Sequence, residues 1–169
     1  MKQTVALLFA LASIVVHAQT DKIYSQADYS IKYPAKWTLD TSKKVAAATF
    51  FYSPLENSSD NFSENVNIMT QNLKGQNIDL AAYKSITEQQ ITAAADNAKL
   101  LTSKIEKTAT GDRYFVEYHL TMNGNKLHIK SICYIKRDTA YLATFTTKLD
   151  TFDKYNQTGT AMLESFKVR

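Results

Sequence analysis

Three side chains near one another in the chain have the types that bind a transition metal: Glu117, His119 and His128. Two imidazoles and a carboxylate suit Zn²⁺, Cu²⁺ or Ni²⁺ and would leave an open coordination position. The turn between them is what brings them together. Asn123-Gly124 is a strong two-residue hairpin signal, because both central positions of a type I′ turn need positive φ. With that loop, Leu120 faces Leu127, Tyr118 faces Ile129 and Tyr114 faces Cys133, so His119 faces His128 with Cβ atoms about 5 Å apart. Glu117 and Lys130 fall one step along on the same side. Lys126 and Lys130 beside the pair would repel a cation. The competing reading, which the pattern favours, is a polar strand surface open to solvent that also carries Thr121 and Lys126. Two metal-free imidazoles side by side would each disfavour the other's protonation. On that reading His119→Ala and His128→Ala leave folding nearly unchanged.

Other chemistries have less to work with. Cys133, the single cysteine, sits among Ile132, Tyr134 and Ile135, where it reads as a buried, inert thiol with no disulfide partner. The stretch Glu56-Asn57-Ser58-Ser59-Asp60-Asn61-Phe62-Ser63-Glu64 offers oxygen ligands but lacks the spacing of a calcium loop, and reads as solvated. There is no Gly-x-Ser-x-Gly and no glycine-rich phosphate loop among the 4 glycines. Neither mature histidine lies on a loop beside a serine or cysteine it could activate, so no catalytic residue is assigned. The 20 Lys and Arg stand against 16 Asp and Glu, scattered singly or in pairs such as Lys43-Lys44 and Lys136-Arg137. This is a solvated surface rather than a nucleic-acid or polybasic membrane face.

The elements that must position these residues follow from residue period. The chain opens with Lys2, an apolar run from Val5 to Val16 and the small-residue end Val16-His17-Ala18. That is an export signal over residues 1–18, too short to span a bilayer and followed by the polar Gln19-Thr20-Asp21-Lys22. One domain over residues 19–169 is expected, exported and soluble, with no membrane span after cleavage. Alternation predicts strands at Tyr29–Tyr33, Trp37–Leu39, Val45–Tyr52, Asn65–Leu73, Leu100–Thr110, Arg113–Met122, Leu127–Ile135 and Thr139–Thr147. Leu80, Tyr83, Ile86, Ile91, Ala94 and Ala98 predict an amphipathic helix of about twenty residues capped by Asp79. Phe152, Tyr155, Met162 or Leu163, and Phe166 predict a second, capped by Asp150 or Thr151, with Gly159 allowing close approach to the sheet.

The opening Tyr29-Ser30-Ile31-Lys32-Tyr33-Pro34-Ala35-Lys36-Trp37 resembles the PsbP-like superfamily, whose members carry an aromatic, Pro, two residues and Trp after the first strand. Lys36 stands where relatives often have a turn residue. The resemblance implies an α+β fold, an antiparallel β-sheet sandwiched between helices. Its members include the extrinsic oxygen-evolving subunit of photosystem II, a Ran-binding nuclear import factor, exported bacterial lipoproteins and chaperones for secreted effectors. They share a scaffold more than a job, and an exported bacterial member is the nearest analogy for a chain with this leader. The expectation is a non-catalytic exported module that holds a protein partner or an apolar segment by a sheet edge or helix groove. The alternatives are a metal-ion or small-molecule binder using the His119 and His128 face, and a hydrolase of unrecognised type.

Overall fold

The Asn123-Gly124 turn closes with φ of 51° and 79°, and Arg137-Asp138 closes a second two-residue turn with φ of 50° and 58°. Positive φ at both central positions matches the right-handed twist of the flanking strands. These turns link β7 (Gly111–Met122), β8 (Asn125–Lys136) and β9 (Thr139–Lys148). The register is the expected one: Tyr114 opposite Cys133, Tyr118 opposite Ile129, His119 opposite His128 and Leu120 opposite Leu127.

The computed structural model describes residues 21–44, 48–94 and 97–169. The expected leader, residues 1–18, and the start of the expected strand at Val45 lie outside them. The remaining elements are β1 (Asp21–Ser25), β2 (Tyr29–Pro34), β3 (Thr38–Asp40), β4 (Thr49–Tyr52), β5 (Asn65–Asn72), α1 (Leu80–Ala93), β6 (Ala98–Thr108), α2 (Phe152–Ser165) and β10 (Lys167–Val168). Seven strands form one antiparallel sheet in the order β3-β4-β5-β9-β8-β7-β6. A second sheet, β1-β2-β10, was only partly legible: β2 alternates clearly, whereas β1 is exposed and β10 is two residues long. Among the described residues no helix is long and apolar enough to cross a membrane.

Strand parity divides the large sheet into two faces. Phe51, Val66, Phe145, Ile132 and Phe115 share one face with Lys130, Glu117, His128 and Arg113. The small sheet and α2 cover it, and the main core of Tyr29, Ile31, Tyr33, Trp37, Phe51, Phe145, Leu163 and Phe166 lies between them. The other face carries Tyr114, Val116 and Cys133, packed with Leu73 and Ile91 against α1. The result is the expected antiparallel sheet between helices.

The first helix differs from its expected length, ending after 14 residues. Ala94 is its C-cap, while Ala98 to Leu100 pair with Leu120 to Tyr118, so strand pairing takes the residues that helix propensity would have added. Asp79 caps the start, its side chain accepting from the Ala82 N–H at 2.8 Å. Only Ile91 is buried along this helix.

In α2, Gly159 lies against the fully buried Phe145, and a Cβ there would stand 2.5 Å from the ring. Gly159→Ala gains about 1 kcal/mol of helix propensity but forces overpacking that typically costs 1–3 kcal/mol or more. The clash wins, so chemical denaturation of this variant should show a net loss of about 1–2 kcal/mol.

Candidate functional site

The hairpin brings the predicted trio together, and α2 closes over it. His128 is 6% exposed. With the Glu117 carboxylate ionised, His128 Nε2–H donates to Oε1 at 2.6 Å, and Lys130 Nζ stands 3.7 Å from the same oxygen. The His128 ring lies 3.6 Å from the Phe152 ring with planes 4° apart, while His119 meets it edge-on at 4.8 Å. His119 itself is half-buried and borders an open depression of about 300 Å³ with Lys99, Thr121 and Lys126. The solvent-open strand surface expected for this pair is therefore corrected. Parity placed the residues on the right face, but α2 covers that face at His128. Among the described residues no group of three His, Cys, Asp or Glu side chains is arranged to hold a metal ion.

The cluster belongs to a seam that docks α2 on the sheet. Phe152, Asn156, Thr160 and Glu164 recur every four residues along one helix stripe. Lys130 Nζ donates to Asn156 Oδ1 at 2.7 Å and lies 5.0 Å over the Phe152 ring. Arg113 donates to both Glu164 oxygens, at 3.0 and 2.7 Å, and its Nε donates to Glu106 at 2.9 Å. Buried charges need such partners, since desolvation otherwise outweighs attraction. Among the described residues no buried side-chain polar atom lacks a hydrogen-bond partner. The spacing of the four helix residues was visible in the sequence; their partners on the sheet were not.

The other candidates are similarly occupied. Cys133 is fully buried, and burial pushes its thiol up to about 12, so it has no thiolate chemistry near neutral pH. In the acidic loop, Asp60 accepts from the backbone N–H of Glu56 and Phe62, and Glu56 accepts from Tyr155 and pairs with Lys154. The expectation of a loop solvated throughout fails at Glu64, which is 2% exposed and accepts the hydroxyls of Ser53 and Thr151. Thr151, expected to cap α2, makes no cap hydrogen bond with that side chain because its hydroxyl is turned to Glu64.

What stays uncommitted is an edge. β6 ends the large sheet as an eleven-residue strand, whereas β3 at the opposite end has three residues. Leu100, Leu101 and Ile105 on β6 are 36%, 40% and 42% exposed, and Ile86 on α1, which packs against β6, is 40% exposed. Leu101 sits where the register with β7 shifts, a β-bulge, and from Thr102 to Thr108 the pairing runs unbroken. Unpaired backbone groups and large apolar side chains along a strand edge form a template for another chain. Sequence reasoning located this strand but not that it ends the sheet.

These features define a class: an α+β sandwich with an occupied interior and one long open sheet edge. The PsbP family model matches residues 21–168, and the chain belongs to that family. Among solved structures, cyanobacterial PsbP (CyanoP) from Synechocystis sp. PCC 6803 superposes with a TM-score of 0.67 at 16% identity, covering 92% of this chain and 96% of that one. LpqN, involved in cell envelope biogenesis of Mycobacterium tuberculosis, superposes with a TM-score of 0.60 at 8% identity, covering 90% and 87%. At those identities the likeness is one of fold. No curated protein matches the chain.

The seam has a pH signature. Burial lowers the His128 pKa below its ordinary value, the Glu117 hydrogen bond opposing this and the nearby His119 and Lys130 charges adding to it. The unfolded chain then binds the extra proton more readily, so this contribution is present above about pH 6.5 and lost as pH falls through the folded value. Thermal melts at pH 7.5 and 5.5 should show lower stability at the acid end, with a smaller difference in His128→Gln. His128→Ala should cost about 2–4 kcal/mol, because it opens a cavity under Phe152 and removes the Glu117 partner.

Proposed function

We propose that this chain is an exported, non-catalytic binding module that holds a protein partner along β6 and the adjoining surface of α1. The observation that carries the reading is the grouping of Ile86, Leu100, Leu101 and Ile105, four of the eight exposed large hydrophobic residues among those described, on one strand edge and its neighbouring helix. Grouped exposed apolar side chains mark interaction sites, whereas scattered ones do not. The export signal expected over residues 1–18 supports a partner in the cell envelope or beyond it. Transition-metal binding by His119, His128 and Glu117 has less support, because His128 Nε2 and Glu117 Oε1 are bonded to each other and Lys130 adds a positive charge. Catalysis has less support still, since the ionisable groups under α2 are engaged with one another and with the helix.

Photo-crosslinking from an unnatural side chain at Leu100 in living cells tests the assignment, with the adduct identified by mass spectrometry. One discrete heterologous adduct is expected, falling at least tenfold in yield when Ile105→Lys is added and absent when the crosslinker sits at Asn57 in the acidic loop. Equal yields from Leu100 and Asn57, or an adduct made only with a second copy of this chain, would overturn it.

A further inference from the structure

Building on the binding role assigned above, we propose that β6 takes up an extended partner segment whose acidic and apolar residues alternate, as an added strand of the seven-stranded sheet. The two sides of β6 differ in chemistry. On the α2 side, Lys99 stands opposite His119 and Lys104 opposite Phe115; on the α1 side, Leu100 stands opposite Tyr118 and Ile105 opposite Tyr114. A strand laid along β6 alternates its side chains between those same two sides. Its residues on the α2 side meet Lys99 and Lys104, with Glu106 beyond them, and those on the α1 side meet Leu100 and Ile105, with Lys107 at the far end.

Charge selects the partner. On the α2 side the strand carries Lys99 and Lys104 against a single carboxylate, Glu106, which Arg113 already engages at 2.8 Å, while Lys107 lies on the α1 side opposite Asp112. Lys104 shares that carboxylate at 3.0 Å yet keeps a side-chain exposure of 54%. Across adjacent strands opposite charges contribute roughly 0.2–1 kcal/mol per pair and like charges oppose pairing. The lysines therefore favour an acidic strand and disfavour a basic one. They also oppose edge-to-edge pairing with a second copy, a common use of lysine on strand edges. The ladder runs unbroken from Thr102 to Thr108 and, beyond the bulge at Leu101, includes Lys99 and Leu100, so a segment of about nine residues spans Lys99 to Lys107, within the usual range of strand length.

The probe is a fluorescent peptide of about nine residues alternating aspartate with valine, beside the same peptide with lysine in place of aspartate. Both are titrated by anisotropy into the mature chain and into the Lys99→Glu/Lys104→Glu variant, with circular dichroism checking that the variant is folded. The acidic peptide should bind the natural chain at least tenfold more tightly than the basic one, and the variant should reverse that order. Equal affinity for both peptides, or binding of neither, overturns the inference. The crosslink at Leu100 separates the two claims: if it persists while the acidic peptide fails to bind, the edge is a binding site for a different chemistry. Loss of both removes the edge from consideration altogether.

Discussion

Two positive-φ turns, at Asn123-Gly124 and Arg137-Asp138, hold β7, β8 and β9 in a single register, and the rest of the molecule depends on that register. A slip of one residue would move every side chain of a strand to the opposite face. Lys130, Arg113 and His128 would then be carried away from α2, and Cys133 and Tyr114 would be driven into the seam. Short turns with few alternatives thus decide which face receives charge-bearing residues among apolar ones and which receives aromatic bulk. The helices follow, each matched to the face that presents its partners.

The face under α2 shows how a sandwich can bury charge by pairing it with groups on the sheet and the helix. Arg113, Lys130, His128, Glu117, Glu106 and Glu164 form two connected groups whose hydrogen bonds are met within the protein. Removing Glu117 or the exposed Glu164 leaves a buried partner, His128 or Arg113, poorly satisfied, so such groups fix the helix position more than they add net stability. Gly159 acts at the same interface by steric means, admitting the Phe145 ring where any side chain would intrude.

Much of this architecture was legible because local signals agreed with one another. Asn123-Gly124, the alternation of Tyr114 to Leu120 and the apolar run through Cys133 pointed to one hairpin, and that hairpin formed. The small sheet was harder to see: β1 is largely exposed and lacks the alternation that burial imposes, and two residues of β10 carry no period at all. The candidate site was half legible. Parity placed His119, His128 and Glu117 on one side, but it cannot say whether a helix covers that side. The covering depends on Phe152 and Lys130 meeting across a chain separation that periodicity does not encode. The open edge escaped notice for a related reason, since strand order is a long-range property of the sheet.

Family membership fixes the scaffold and leaves the role to surfaces, as is usual for a fold shared among proteins with different tasks. In this chain β6 differs from the other sheet edges in length and in the apolar side chains it leaves exposed. Hydrogen exchange resolved along the backbone tests that account most directly, comparing the chain alone with the chain bound to its crosslinked partner. The account predicts that partner binding slows exchange between Thr102 and Thr108 and leaves β3, at the other end of the sheet, unchanged. Protection that falls instead on β3 and β4, or on the loop around Asn57 with β6 unaffected, would contradict it.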